Sequence, residues 1–121
     1  MIRTAGPGHF EDRAISAGTN PYLAMAAYLT AGLDGIKRGL EPGEPNLGNM
    51  YERSAADIRS AGIQMLPQSL SEALEELRRD EVVQSALGPI AEEFIAMKAH
   101  EWAEYDGQVS RWEIDQYLTS F

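Results

Sequence analysis

Phe10-Glu11-Asp12-Arg13, followed after a short gap by Asn20-Pro21-Tyr22-Leu23, sets an acid and a base on one brief extended segment ahead of a long apolar helix. Alternate side chains of a strand share a face, so His9, Glu11 and Arg13 are expected on one side and Phe10, Asp12 and Ala14 on the other. One polar face then carries a carboxylate beside a guanidinium. The carboxylate is a hard oxygen ligand suited to Mg²⁺ or Mn²⁺, and the guanidinium can fork two hydrogen bonds onto another carboxylate. A metal and an acidic substrate could be held side by side there. A solvated ion pair uses the same two residues, and for a Glu-x-Arg standing alone it is the commoner arrangement.

Upstream, Gly6-Pro7-Gly8 can hardly do anything but turn, which brings Arg3 close to the same edge as Glu11. Downstream, Asn20 is placed to cap a helix and Pro21 to open it, since the missing proline N–H would have had no partner. Tyr22, Leu23, Met25, Ala26, Tyr28, Leu29, Leu33 and Ile36 wrap nearly all round that helix, which predicts burial. Gly39 and Glu41-Pro42 end it.

Residues 42–62 read as a long irregular excursion with one short helical turn at Ser54 to Arg59, and loops of that length tend to be functional or to pack on partners. Ser69-Leu70-Ser71-Glu72 predicts a capping box opening a helix with Leu70, Ala73, Leu74 and Leu77 on one side. A turn carrying Val82, Val83, Ala86 and Leu87 follows, stopped by Gly88. Pro89 opens a longer helix with a broad apolar stripe of Ala91, Phe94, Ile95, Met97, Trp102 and Tyr105. A second capping box at Ser110 to Glu113 starts a last helix bearing Trp112, Tyr117, Leu118 and Phe121, aromatics expected in a core or an interface. The predicted fold class is mostly α with a short N-terminal β segment.

The 121 residues make one domain's worth of chain, and 44% apolar residues is ordinary for a folded protein. With no cysteine, neither a disulfide framework nor a thiolate metal site is possible. Nineteen acidic against ten basic residues give a formal charge of −9, which repels a phosphate backbone, so no nucleic-acid partner is expected. No run approaches a membrane span and no signal peptide is visible, so no membrane partner is expected and the cytoplasm is the default location. His100 with Glu104 reads as a surface pair at i and i+4. The glycines at 6 and 8 lack the helix start a phosphate-binding fingerprint requires, and no nucleophile with its base is visible.

The run from Ile2 to Arg13, then Asn20-Pro21-Tyr22-Leu23-Ala24 and Ala31-Gly32-Leu33-Asp34-Gly35-Ile36, resembles the carboxy-terminal part of the glutamine synthetase catalytic domain. Asn49-Met50-Tyr51, the run from Leu66 to Leu74, and Trp112 to Leu118 are similar too, so the likeness covers essentially the whole chain. The short Gly/Pro-rich turn is most like the branch of γ-glutamylmethylamide synthetases and related γ-glutamyl-amine ligases. The resemblance implies the C-terminal fragment of an α+β catalytic domain, as a single unit over 1–121. Within it, 1–19 would carry the strands and site residues, 20–39 a buried helix, 40–68 a loop region and 69–121 the closing helices.

In that family ATP activates the γ-carboxylate of glutamate as an acyl phosphate, which ammonia or a small amine attacks, with divalent metals neutralising phosphate charge. The match implies Glu11 as a metal ligand, Arg13 as the group holding substrate glutamate, and Arg3 as a catalytic residue near the transferred phosphoryl group. His9 stands where most relatives carry a nucleotide-contacting arginine, and it is shorter and mostly neutral at pH 7. Tyr51 matches the tyrosine that is adenylylated in some bacterial glutamine synthetases, although Glu52-Arg53-Ser54 differs from the regulated pattern. Its ring is otherwise expected to anchor the loop. The other metal ligands and most of the ATP pocket, like a sheet to cover the 20–39 helix, are expected upstream in a longer parent. The chain alone is therefore expected to be inactive, with self-association likewise implied by the family's rings. The alternative is a stand-alone acidic helical module binding a partner protein through the flank of the 20–39 helix.

Overall fold

Local chemistry sets the hairpin at the amino terminus. The computed structural model describes residues 2–46 and 48–118; Phe121 of the expected last helix lies outside them. β1 (Ile2–Gly6) and β2 (His9–Asp12) pair antiparallel, with Ile2 opposite Asp12, Arg3 opposite Glu11, Thr4 opposite Phe10 and Gly6 opposite His9. Pro7 is followed by Gly8 at φ +73°, the residue order of a type II turn, whose third position needs a positive φ. Such a turn splays a two-residue hairpin, and the irregularity between Thr4 and Gly6 takes up the mismatch.

α1 (Pro21–Lys37) starts where expected: the Asn20 side chain accepts from the amides of Tyr22 and Leu23. Its packing is one-sided. α1 runs against α4 (Glu81–Leu87), while Tyr22, Met25, Leu29, Leu33 and Ile36 form a stripe at helical spacing in which each residue is more than half exposed. No residue of α1 is buried. The all-round burial expected from its apolar sequence is not met, because among the described residues the only sheet has two strands and does not cross this face.

The excursion after α1 is more ordered than its sequence suggests. Asn49 caps a 3₁₀ turn at Met50–Glu52, and α2 (Ala55–Ser60) opens with a full capping box in which Asp57, not glutamate, answers Ser54. At α3 (Leu70–Arg79) Ser69 accepts from the Glu72 amide, but the Glu72 carboxylate takes the amide of Gln68 at 2.7 Å, one residue earlier than a reciprocal box requires.

α3, α4 and α5 (Ile90–Asp106) pack on one another, and the core is small: Ile58, Leu74 and Ala91 are the buried apolar residues among those described. A cavity of about 200 Å³ between α1 and these helices is lined by Leu23, Leu77, Val83, Leu87 and Phe94. The stripe expected on α5 divides, with Ala91 buried but Met97 and Tyr105 exposed. Met97 lies about 120° round the helix from the less exposed face of Ala91, Phe94, Ile95, Ala99 and Trp102, and Tyr105 sits in the last turn, beyond the shorter α3 and α4. α6 (Arg111–Tyr117) has its expected capping box, yet Trp112, Tyr117 and Leu118 stay open, with Trp112 and Tyr117 meeting edge to face.

The accessible surface is 10350 Å², where a compact monomer of 13.3 kDa exposes roughly 6,450 Å². Much apolar surface that a closed fold buries is open here.

Candidate functional site

The register of the hairpin brings three of the expected site residues together. Arg3 faces Glu11 across the ladder and donates from Nε to Glu11 Oε2 at 2.8 Å. Arg13, just past β2, donates from Nε to the other oxygen, Oε1, at 2.6 Å. Distances this short mark charge-assisted bonds. Both guanidiniums remain about 60% exposed while the carboxylate is 37% exposed. Two positive charges around one negative leave a local positive excess, which can receive an anion, on a chain whose formal charge is −9.

The opposite face of β2 meets α1. The Phe10 ring lies over Tyr28 with centroids 6.2 Å apart and planes 23° from parallel. The Tyr28 hydroxyl lies near the Asp12 carboxylate; burial first, then the charge and hydrogen-bonding influence of Asp12, push its pKa above the usual 10.0. Asp12 also accepts from the Ala14 amide at 2.8 Å. The alternation expected from the sequence therefore holds, with Glu11 on one side and Phe10 and Asp12 on the other. Tyr28 is the member that sequence reasoning missed, having placed it in the apolar helix; the available signal was Phe10, which had to face something opposite Glu11.

His9 pairs with Gly6 at the turn end, where a β-carbon on Gly6 would sit 3.4 Å from its Nδ1. Tyr51 is far along the chain in the 3₁₀ turn and is 100% exposed, so its ring does not anchor the loop. The physical reason is its position: the backbone of that turn is held by Asn49, whose side chain accepts from the Tyr51 amide and donates to Glu52. His100 and Glu104 make the expected surface pair at 3.5 Å.

The hydrogen bond from Arg13, then that from Arg3, hold the Glu11 carboxyl below the ordinary 4.5. A folded-state value below the unfolded one contributes stability that is full above the ordinary value and is lost as pH falls through the depressed one. The Nε–Hε resonances of both arginines should therefore keep their ion-paired positions on acidification through 4.5 and collapse only at lower pH, while Glu11→Gln removes the transition.

As a donor, Glu11 suits a divalent metal, but it offers one carboxylate whose two oxygens are already engaged. Among the described residues no three His, Asp or Glu side chains cluster to enclose an ion. The fit is that of a single ligand in a larger set.

Residues 3–117 match the family described as glutamine synthetase, catalytic domain. The glutamate–methylamine ligase of Methyloversatilis universalis is 50% identical over 121 residues, which is 100% of this chain and 27% of that protein. A glutamine synthetase of Staphylococcus aureus is 46% identical over 112 residues, covering 92% of this chain and 25% of the relative. The solved structure of apo GmaS without ligand superposes with a TM-score of 0.87 at 37% identity, over 98% of this chain and 27% of that one. The chain thus spans about a quarter of the length of the curated relatives it matches. With its mostly helical fold and N-terminal hairpin, the chain belongs to the glutamine synthetase catalytic-domain family.

Proposed function

We propose that these 121 residues act as one unit, the carboxy-terminal part of the active site of an ATP-dependent ligase that joins the γ-carboxylate of glutamate to ammonia or a small amine. The observation that carries this reading is the Arg3–Glu11–Arg13 cluster, two exposed guanidiniums flanking one carboxylate, in a chain alike over its whole length to a ligase of that kind. Arg13 holds the carboxylate of substrate glutamate through its planar fork. Arg3 faces the phosphoryl oxygens as γ-carboxylate activation by ATP places charge on them. His9 donates one hydrogen bond to the nucleotide. Glu11 supplies one oxygen ligand to Mg²⁺ or Mn²⁺, which when bound neutralises phosphate charge. Tyr51, fully exposed, is accessible to a modifying enzyme.

The rest of the site comes from the other three quarters of such a ligase, and the isolated chain is inactive. Replacing the matching segment of the Methyloversatilis ligase with this chain and measuring ATP-dependent transfer to methylamine and ammonia tests both points. The chimaera should turn over and the chain alone should not. A folded but dead chimaera overturns the ligase reading, and robust turnover by the chain alone overturns its inactivity.

The bare stripe on α1 favours a second reading, an acidic helical module that uses this flank on a protein partner or on another copy of itself. Sedimentation should show the chain self-associating, and Met25→Ser/Leu29→Gln/Leu33→Gln should return it to a monomer with less dye-accessible apolar surface. A wild-type chain already monomeric and free of bound dye removes the role assigned to this flank.

A further inference from the structure

A lone two-stranded hairpin is marginal in water, and this one leaves Ile2 64% and Phe10 59% exposed. Its register nevertheless has to be kept, because Arg3 reaches Glu11 only as its cross-strand partner. The principal helix packing joins α1 to α4 and α3, α4 and α5 to one another, without the hairpin. What ties β2 to the helices is Tyr28, under Phe10 on one side and against Asp12 on the other.

We propose that Tyr28 is a positioning residue for the Arg3–Glu11–Arg13 cluster: by holding Phe10 from the far face of β2 it presents the charged face in one orientation. Phe10 and Asp12 flank Glu11 in sequence and point away from it, so fixing both fixes the direction of the carboxylate between them. The ring does this as a stacked surface, and the hydroxyl sits beside Asp12, two contributions that phenylalanine and leucine separate. Tyr28 matters to function only if the cluster holds ligands, the reading proposed above; its positioning role is measurable without them.

The test compares the chain with Tyr28→Phe and Tyr28→Leu through the Nε–Hε resonances of Arg3 and Arg13, using the amide shifts of α3 to α5 as the control for folding. Tyr28→Leu should move both resonances to free-arginine positions and speed their exchange with water roughly three- to tenfold, with Tyr28→Phe changing them less in the same direction. Unmoved resonances in Tyr28→Leu with the helices intact overturn the proposal. Should that variant disturb the helices, Phe10→Leu, which removes the same stack from the hairpin side, is read instead, and unmoved resonances there overturn it equally. Titration with inorganic phosphate separates the two claims. Phosphate that leaves the wild-type resonances unmoved overturns the ligand-holding reading alone. Where phosphate binds the wild type, weakening by threefold or more in Tyr28→Leu supports positioning, and equal affinity overturns it.

Discussion

Glu11→Gln in the ligase chimaera is expected to lower ATP-dependent γ-glutamyl transfer by roughly 10²–10³-fold, the loss that follows from removing a charged ligand to a metal that stabilises phosphoryl transfer. The substitution keeps the side chain's shape and one acceptor oxygen, so the fold should survive it. Arg13→Lys separates the neighbouring role: an ammonium cannot reproduce the planar fork, so KM for glutamate should rise about tenfold with a smaller change in kcat. If Glu11 were only a surface ion-pair partner, Glu11→Gln would leave turnover within about twofold of the parent, since exposed pairs contribute little. The contrast in size lets one measurement choose between the two uses of the same carboxylate.

What the sequence shows of this site is what depends on near neighbours. Strand alternation around Glu11 and the Pro7-Gly8 turn are local, and together they predict that Arg3, Glu11 and Arg13 meet. The caps at Asn20 and Ser110 are local too. The box at Ser54 escaped because aspartate answers where glutamate is the usual partner. Tyr28 escaped for a different reason. In an apolar helix a tyrosine looks like any other core residue, and its role comes from a hairpin eight residues away from the helix start. An apolar pattern also cannot say how wide the covered face is or how long a helix's partner is, which is why Met97, off that face, and Tyr105, in the last turn, sit in solvent. The same limit applies to α1: its sequence asks for cover on all sides, whereas the structure provides α4 and the Phe10 contact and leaves the stripe from Tyr22 to Ile36 open. The segment is pinned by a single aromatic pair and not, among the described residues, by a larger sheet.

Leu74→Ala should be the most destabilising single truncation in the chain, by about 3 kcal/mol within the 2–5 range found for buried leucines. Leu74 is 4% exposed at the contact of α3 with its neighbours, and the helices there already leave a cavity lined by Leu77, Val83 and Phe94. Removing three more carbons adds void that these short helices can close only by giving up other contacts. With three buried apolar residues in the described core, little else compensates, and thermal melting followed by circular dichroism should fall by about 10–20 °C or lose its cooperative transition. Met97→Ala is the matched control. It deletes a side chain of similar volume from the same apolar pattern, but one that is 56% exposed, so stability should change by no more than about 0.5 kcal/mol. Equal losses from the two variants would mean that α5 is covered along its whole length in solution, and the self-association assigned to the open apolar surface would then have to bury Met97 as well as the α1 stripe.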